Sequence, residues 1–86
     1  MDLPDFTDKI VLTYCGALDY HPTALESPRF EMQGGRLFLT GIHPDDGSGK
    51  NWFAGLPVAV AWDTVSVYLI CDSVKDYQAR MQQEEE

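Results

Sequence analysis

Apolar and polar side chains alternate through most of this chain, and the period changes only near its C-terminus. Residues 9–15, KIVLTYC, are rich in β-branched and aromatic types and predict a strand. Ile10, Leu12 and Tyr14 fall on one face, and Val11, Thr13 and Cys15 on the other. Residues 16–28, GALDYHPTALESP, break the alternation at Gly16, Pro22 and Pro28 and predict a long loop, with room for one helical turn at 23–26. Such a loop is either functional or an Ω-type loop packed by its own Leu18, Tyr20 and Leu25. Residues 29–33 alternate again, with Phe30 and Met32 inward. Gly34-Gly35 supplies the positive φ that a tight hairpin needs, and residues 36–43 return so that 30–32 face 37–39. Residues 44–51, PDDGSGKN, read as a polar loop, and 52–55, WFAG, as the start of the next strand.

The clearest pattern lies at 56–71, LPVAVAWDTVSVYLIC. Val58, Val60 and Trp62 alternate with small alanines, and Val65, Val67, Leu69 and Cys71 alternate with Ser66, Tyr68 and Ile70. Asp63-Thr64 separates the two halves. That pair lacks the glycine or asparagine of a two-residue hairpin, so a short 3₁₀-like turn bending into the next strand is expected. With both faces largely apolar, the second half reads as a central strand or one covered on both sides. Residues 72–83 then change period. Ser73-x-x-Asp76 offers a capping box, Val74, Tyr77 and Met81 form one apolar stripe, and Asp76 and Arg80 stand four apart. Residues 1–8 read as a loosely packed lead-in arm with Leu3 and Phe6 as anchors. Glu84-Glu85-Glu86 opposes the helix dipole and reads as a frayed acidic tail.

Five β segments at 9–71 followed by a helix at 72–83 predict a small, mostly β (α+β) fold in one domain. The expected form is an antiparallel five-stranded barrel or a strongly bent sheet. The series Val58, Val60, Trp62, Asp63, Thr64, Val65, Val67 and Tyr68, strand then short turn then strand, resembles the end of an SH3-like or Sm-like barrel. It is also similar to the barrel of stringent starvation protein B, a family of adaptors that hand tagged substrates to a protease. The spacing from Phe53 to Tyr68 is shorter than in that family, and its protease-docking tail has no counterpart here. These resemblances cover about a third of the chain and transfer no functional residue.

Charge bears on what the Sm resemblance implies, which is RNA binding. The 86 residues carry 14 acids against 6 basic residues, a net charge of −8. The cations Lys9, Arg29, Arg36, Lys50, Lys75 and Arg80 are scattered, so both nucleic acid and anionic membrane surfaces are disfavoured. No apolar run approaches the length that spans a bilayer. Nothing resembles a secretory signal, which points to a cytoplasmic protein with Cys15 and Cys71 as reduced core thiols; a disulfide between neighbouring strands is the alternative.

Candidate chemistry is sparse. Gly47-Ser48-Gly49-Lys50 lacks the first glycine, the hydroxyl residue and the following helix of a phosphate-binding loop. Asp45-Asp46-Gly47 lacks the regular ligand frame of a calcium loop. His21 and His43 have no partner at metal-ligand spacing, and the cysteines sit in apolar strands where thiols are inert. No cofactor, metal or catalytic residue is indicated. The composition favours a non-catalytic module that binds another protein or itself through an aromatic patch and an exposed strand edge, with Trp52, Phe53 and Tyr20 as the contact residues. Core and surface both remain open for Trp52. Two alternatives stand beside this: a small-molecule-binding domain or small enzyme built on the loops of His21, His43, Asp45 and Asp46, and a structural subunit of a larger assembly.

Overall fold

A computed structural model describes residues 3–16 and 22–83. The strands are β1 (Ile10–Cys15), β2 (Thr23–Gln33), β3 (Arg36–Ile42), β4 (Pro57–Ala61) and β5 (Val65–Cys71), followed by the helix α1 (Val74–Gln83). They form one antiparallel sheet in the order β4-β3-β2-β1-β5, so the fold is the small α+β arrangement that the periodicity predicts. The strands at the two ends of that order, β4 and β5, are consecutive in the chain. A single 3₁₀ turn, Trp62–Thr64, joins them. In a flat sheet the outer strands would lie about 19 Å apart, whereas three 3₁₀ residues span about 6 Å. The sheet is therefore strongly bent, yet it stays open, because β4 and β5 end the hydrogen-bonded order instead of closing it.

The corner is held by its own residues. The Thr64 hydroxyl donates to the Ala61 carbonyl at 2.6 Å, which satisfies the turn internally. Asp63 receives both Nε and Nη2 of Arg36, the latter at 2.8 Å, which ties the corner to the start of β3. Those hydrogen bonds, with the Arg36 charge, hold the Asp63 carboxyl below its ordinary range.

The bend gives the sheet an inner face and a helix face. Val11, Leu25, Leu39 and Val60 are buried on the inner face, with Cys15, Phe30, Val58, Trp62 and Val65 packed around them. Ile10, Ala24 and Cys71 are buried on the other face beneath Tyr77 of α1, flanked by Leu12, Val74 and Met81. The alternation in β1 thus separates two cores, one inside the bend and one under the helix. Ser73 caps α1 by accepting the Asp76 amide at 3.0 Å, while the Asp76 carboxylate accepts from the Asp72 amide and from Arg80. Among the described residues no helix is long and apolar enough to cross a membrane.

Five expectations need correction. The loop expected at 16–28 is shorter, because β2 already begins at Thr23. Ser27-Pro28 marks an irregularity inside this strand, where the register with β3 shifts between Glu26 and Arg29. Ser27 has a positive φ of 46° there, and Pro28 sits where a ladder donor is dispensable. Residues 52–55 form turns rather than the start of a strand. The lead-in arm does not pack loosely at Phe6, which is buried inside the bend 5.5 Å from the Tyr68 ring and 6.1 Å from Phe30. Met32 is exposed, not inward, because it lies at the hairpin end beyond the core. Finally, β5 is an edge strand rather than a central one.

The Gly34-Gly35 hairpin follows its expected register, with Phe30 opposite Leu39 and Met32 opposite Leu37. Both glycines take positive φ, 59° and 79°, as a type I′ turn requires.

Candidate functional site

The most exposed apolar surface of a regular element is β5. Val67, Tyr68, Leu69 and Ile70 are 53%, 38%, 52% and 51% exposed, although all four lie in a strand. The cause is topological. Among the described residues β5 pairs with β1 on one side only, and its other row of backbone groups has no strand partner. Its register to β1 sets the faces: Val67 opposite Tyr14 and Leu69 opposite Leu12 lie on the helix face, while Tyr68 opposite Thr13 and Ile70 opposite Val11 lie on the inner face. Ser66 is an extra residue where the register shifts, and its hydroxyl donates to the Tyr14 carbonyl at 3.1 Å. From Val65 to Cys71 the strand carries no charge and no proline, the residues that ordinarily protect a free edge. The other edge is blunter: β4 has five residues, opens on Pro57 and presents small alanines.

A second apolar surface continues from β1. Leu12, opposite Leu69, also lines a cavity of about 220 Å³ between the sheet, α1 and the loop that follows β3. Phe53, His43, Asp46, Tyr77 and Met81 contribute other walls. Backbone bonds from the His43 amide to Leu56 O and from Gly55 N to His43 O close the base of this loop at 2.9 and 2.8 Å. Gln78 of α1 holds the loop's far side by donating to the Asp45 carbonyl at 2.9 Å. The His43 ring packs edge-on against Phe53 at 4.7 Å, and Phe53 packs in turn on Trp52 at 5.3 Å. Trp52 is 82% exposed, which resolves its position in favour of the surface, while Phe53 is partly covered.

The residues of the small-molecule alternative converge only in part. His43 and Asp46 share the cavity; Asp45 is not among its lining residues. Burial pushes the His43 imidazole below its ordinary 6.5, so it is neutral at pH 7. The Asp45 and Asp46 carboxylates turn back on their own loop, accepting the Gly47 and Ser48 amides at 2.9 Å each. Asp46 is held below the usual carboxylate range by its bonds from Ser48. Tyr20 and His21 lie outside the described residues. Among the described residues no group of three or more metal-ligating side chains is assembled.

The cysteines are set apart. Cys15 pairs with Val65 at one end of the β1–β5 ladder and Cys71 with Ile10 at the other, on opposite faces of the sheet. At opposite ends of the ladder they are too far apart to be bridged to each other. Burial first, then the Asp76 charge, push the Cys71 thiol up, which disfavours the reactive thiolate.

Val67, Tyr68, Leu69 and Ile70 are not among the contact residues that the sequence suggests, because a strand apolar on both faces reads as covered on both faces. The order of elements carries the missing signal. A last strand reached through a bending corner, and followed by a helix, has one neighbour in the sheet and leaves one edge free. No protein-family model, curated protein or solved structure matches this chain.

Proposed function

We propose that this protein is a non-catalytic protein-binding module that pairs with an extended segment along β5. One observation carries the reading: an uncharged strand edge whose Val67, Tyr68, Leu69 and Ile70 side chains are all exposed. Backbone groups along such an edge supply affinity, and alternate side chains supply selectivity. Trp52 and Phe53 give a rigid aromatic contact beyond the β1 surface, and Tyr20 is assigned to the same contact from its sequence position. The strand order, with a 3₁₀ turn between the last two strands, supports an SH3-like description. Cys15 and Cys71 lie at opposite ends of the β1–β5 ladder, where no disulfide can join them to each other, which agrees with a reducing compartment, and we assign the cytoplasm.

The experiment is capture from a native lysate by the wild-type protein, by Val67→Lys and by Trp52→Ala, read by mass spectrometry. Both side chains are exposed, so neither change disturbs a core. Val67→Lys places a charge in the edge and abolishes specific capture; Trp52→Ala weakens it. Unchanged capture by both variants sinks the proposal. A second reading rests on the cavity beside His43, whose neutral imidazole and the nearby Asp46 can hold a small polar ligand against Phe53 and Met81. A ligand-dependent rise in melting temperature, lost in His43→Phe, would favour it over the edge.

A further inference from the structure

The geometry points to a second copy of this chain as the occupant of the β5 edge, paired antiparallel across a two-fold axis through Tyr68. This inference rests on the reading of β5 as a binding edge and names its partner.

Symmetry narrows the possible registers. A two-fold axis normal to the sheet keeps each face continuous, so directly opposed residues must project to the same side. The axis must therefore pass through a residue, not between two. Val67 and Leu69 project to the helix face and Tyr68 to the inner face. With the axis at Tyr68, Val67 of each copy meets Leu69 of the other, forming two apolar pairs from side chains that are half exposed in the single chain. The stretch from Ser66 to Ile70 then lies opposite itself and contains no charge; the register shift at Ser66 leaves Val65 on the inner face and Cys71 on the helix face, so that pair falls outside the ladder. Moving the axis to Val67 brings Asp63 into line with Cys71. Moving it to Leu69 brings Asp72 into line with Ser66. Of these registers only the one at Tyr68 opposes the two half-exposed side chains of the helix face, Val67 and Leu69; an axis at Leu69 sets Val67 against the buried Cys71.

Charge explains why this surface suits a second copy. Two chains of net charge −8 repel each other, so a contact between them must lie where acids are absent or neutralised. β5 meets both conditions. Its own residues are uncharged, and the acids beyond its ends are ion-paired within the chain: Asp63 with Arg36 at 2.8 Å and Asp72 with Lys9 at 3.4 Å. The paired molecule is a continuous ten-stranded sheet with both helices on the same side, and it closes at two copies.

Sedimentation velocity on the wild-type protein, on Val67→Lys, on Leu69→Glu, and on an equimolar mixture of the two variants tests the pairing. The wild type sediments as a dimer. Each variant alone shows a dimer Kd raised about tenfold or more, with an unchanged circular dichroism spectrum. The mixture recovers a dimer, because the lysine introduced at position 67 of one chain then faces the glutamate introduced at position 69 of the other. A wild type that is monomeric, or that grows beyond a dimer, overturns the inference. So does a mixture that associates no better than its components. A monomeric wild type whose lysate capture is still lost on Val67→Lys removes the self-pairing and leaves the edge as a binding site. A monomeric wild type with capture indifferent to Val67→Lys removes both.

Discussion

At the scale of single residues, two positions show how local geometry sets tolerance. Gly41 in β3 lies against the irregularity in β2, and a Cβ there would sit 3.0 Å from the Glu26 carbonyl oxygen and 3.3 Å from Pro28 Cα. Both neighbours are backbone atoms of a bent segment and cannot rotate away. Gly41→Ala is therefore expected to lose about 1–3 kcal/mol, although alanine normally favours a strand over glycine. A urea midpoint that falls with an unchanged m-value would show it. His43 is a linkage case. Burial lowers its folded-state pKa below the ordinary 6.5, so near that pH the unfolded chain binds more protons than the folded one. Stability is complete above about pH 7, declines as pH falls through the unfolded value, and levels off below the folded one. Thermal melts between about pH 7.5 and 5 should show this slope in the wild type and its loss in His43→Gln. A slope that persists in the variant assigns the effect to another group.

At the scale of elements, α1 is the least autonomous piece. Ten residues are too few for a stable isolated helix, so its cap and its packing on the sheet hold it. Ser73→Ala removes the acceptor for the Asp76 amide and should cost about 1 kcal/mol in a urea melt. Tyr77→Ala empties the centre of the core under the helix and should cost about 3–5 kcal/mol with loss of helical signal. If the two changes cost the same, the helix contributes little through its buried face. The elements also show what the sequence could and could not tell. β1, the Gly34-Gly35 hairpin, the 3₁₀ corner and α1 were legible because local chemistry determines each: alternation, positive φ, a corner without hairpin residues, a capping serine. The first half of β2 was hidden because Ser27-Pro28 is a local loop signal that tertiary pairing overrides. Phe6 was legible as an anchor of the arm but not as a core residue, because a ring that plugs the bend from outside the sheet has no periodicity. β5 was legible as a strand and misread as covered, since hydrophobicity alone does not distinguish a residue buried in its own chain from one left exposed on an edge strand. Of the candidate contact residues, Trp52 was legible as a large aromatic beside a polar loop; its exposure depends on the turn at 52–55, which the sequence presents as strand.

At the scale of the whole molecule, the relevant contrast is between a strongly acidic body and one uncharged edge. The described residues span 41 × 27 × 24 Å, only a few screening lengths at ordinary salt. At about 0.01 M salt the Debye length is about 30 Å, so the net charges of two copies act across most of their extent; at about 0.1 M it is about 10 Å. Repulsion between chains of net charge −8 therefore weakens steeply over that range, while the attraction between Val67 and Leu69 across the edge does not depend on screening. Association through β5 should tighten as salt is raised, the reverse of an interface held by ion pairs across the contact. Sedimentation equilibrium at low and high sodium chloride provides the measurement, with Leu69→Glu as the control that should remain dissociated longer into the titration. Association that weakens with salt would mean that the copies meet through charged groups, and β5 would then be excluded as the contact whatever the stoichiometry.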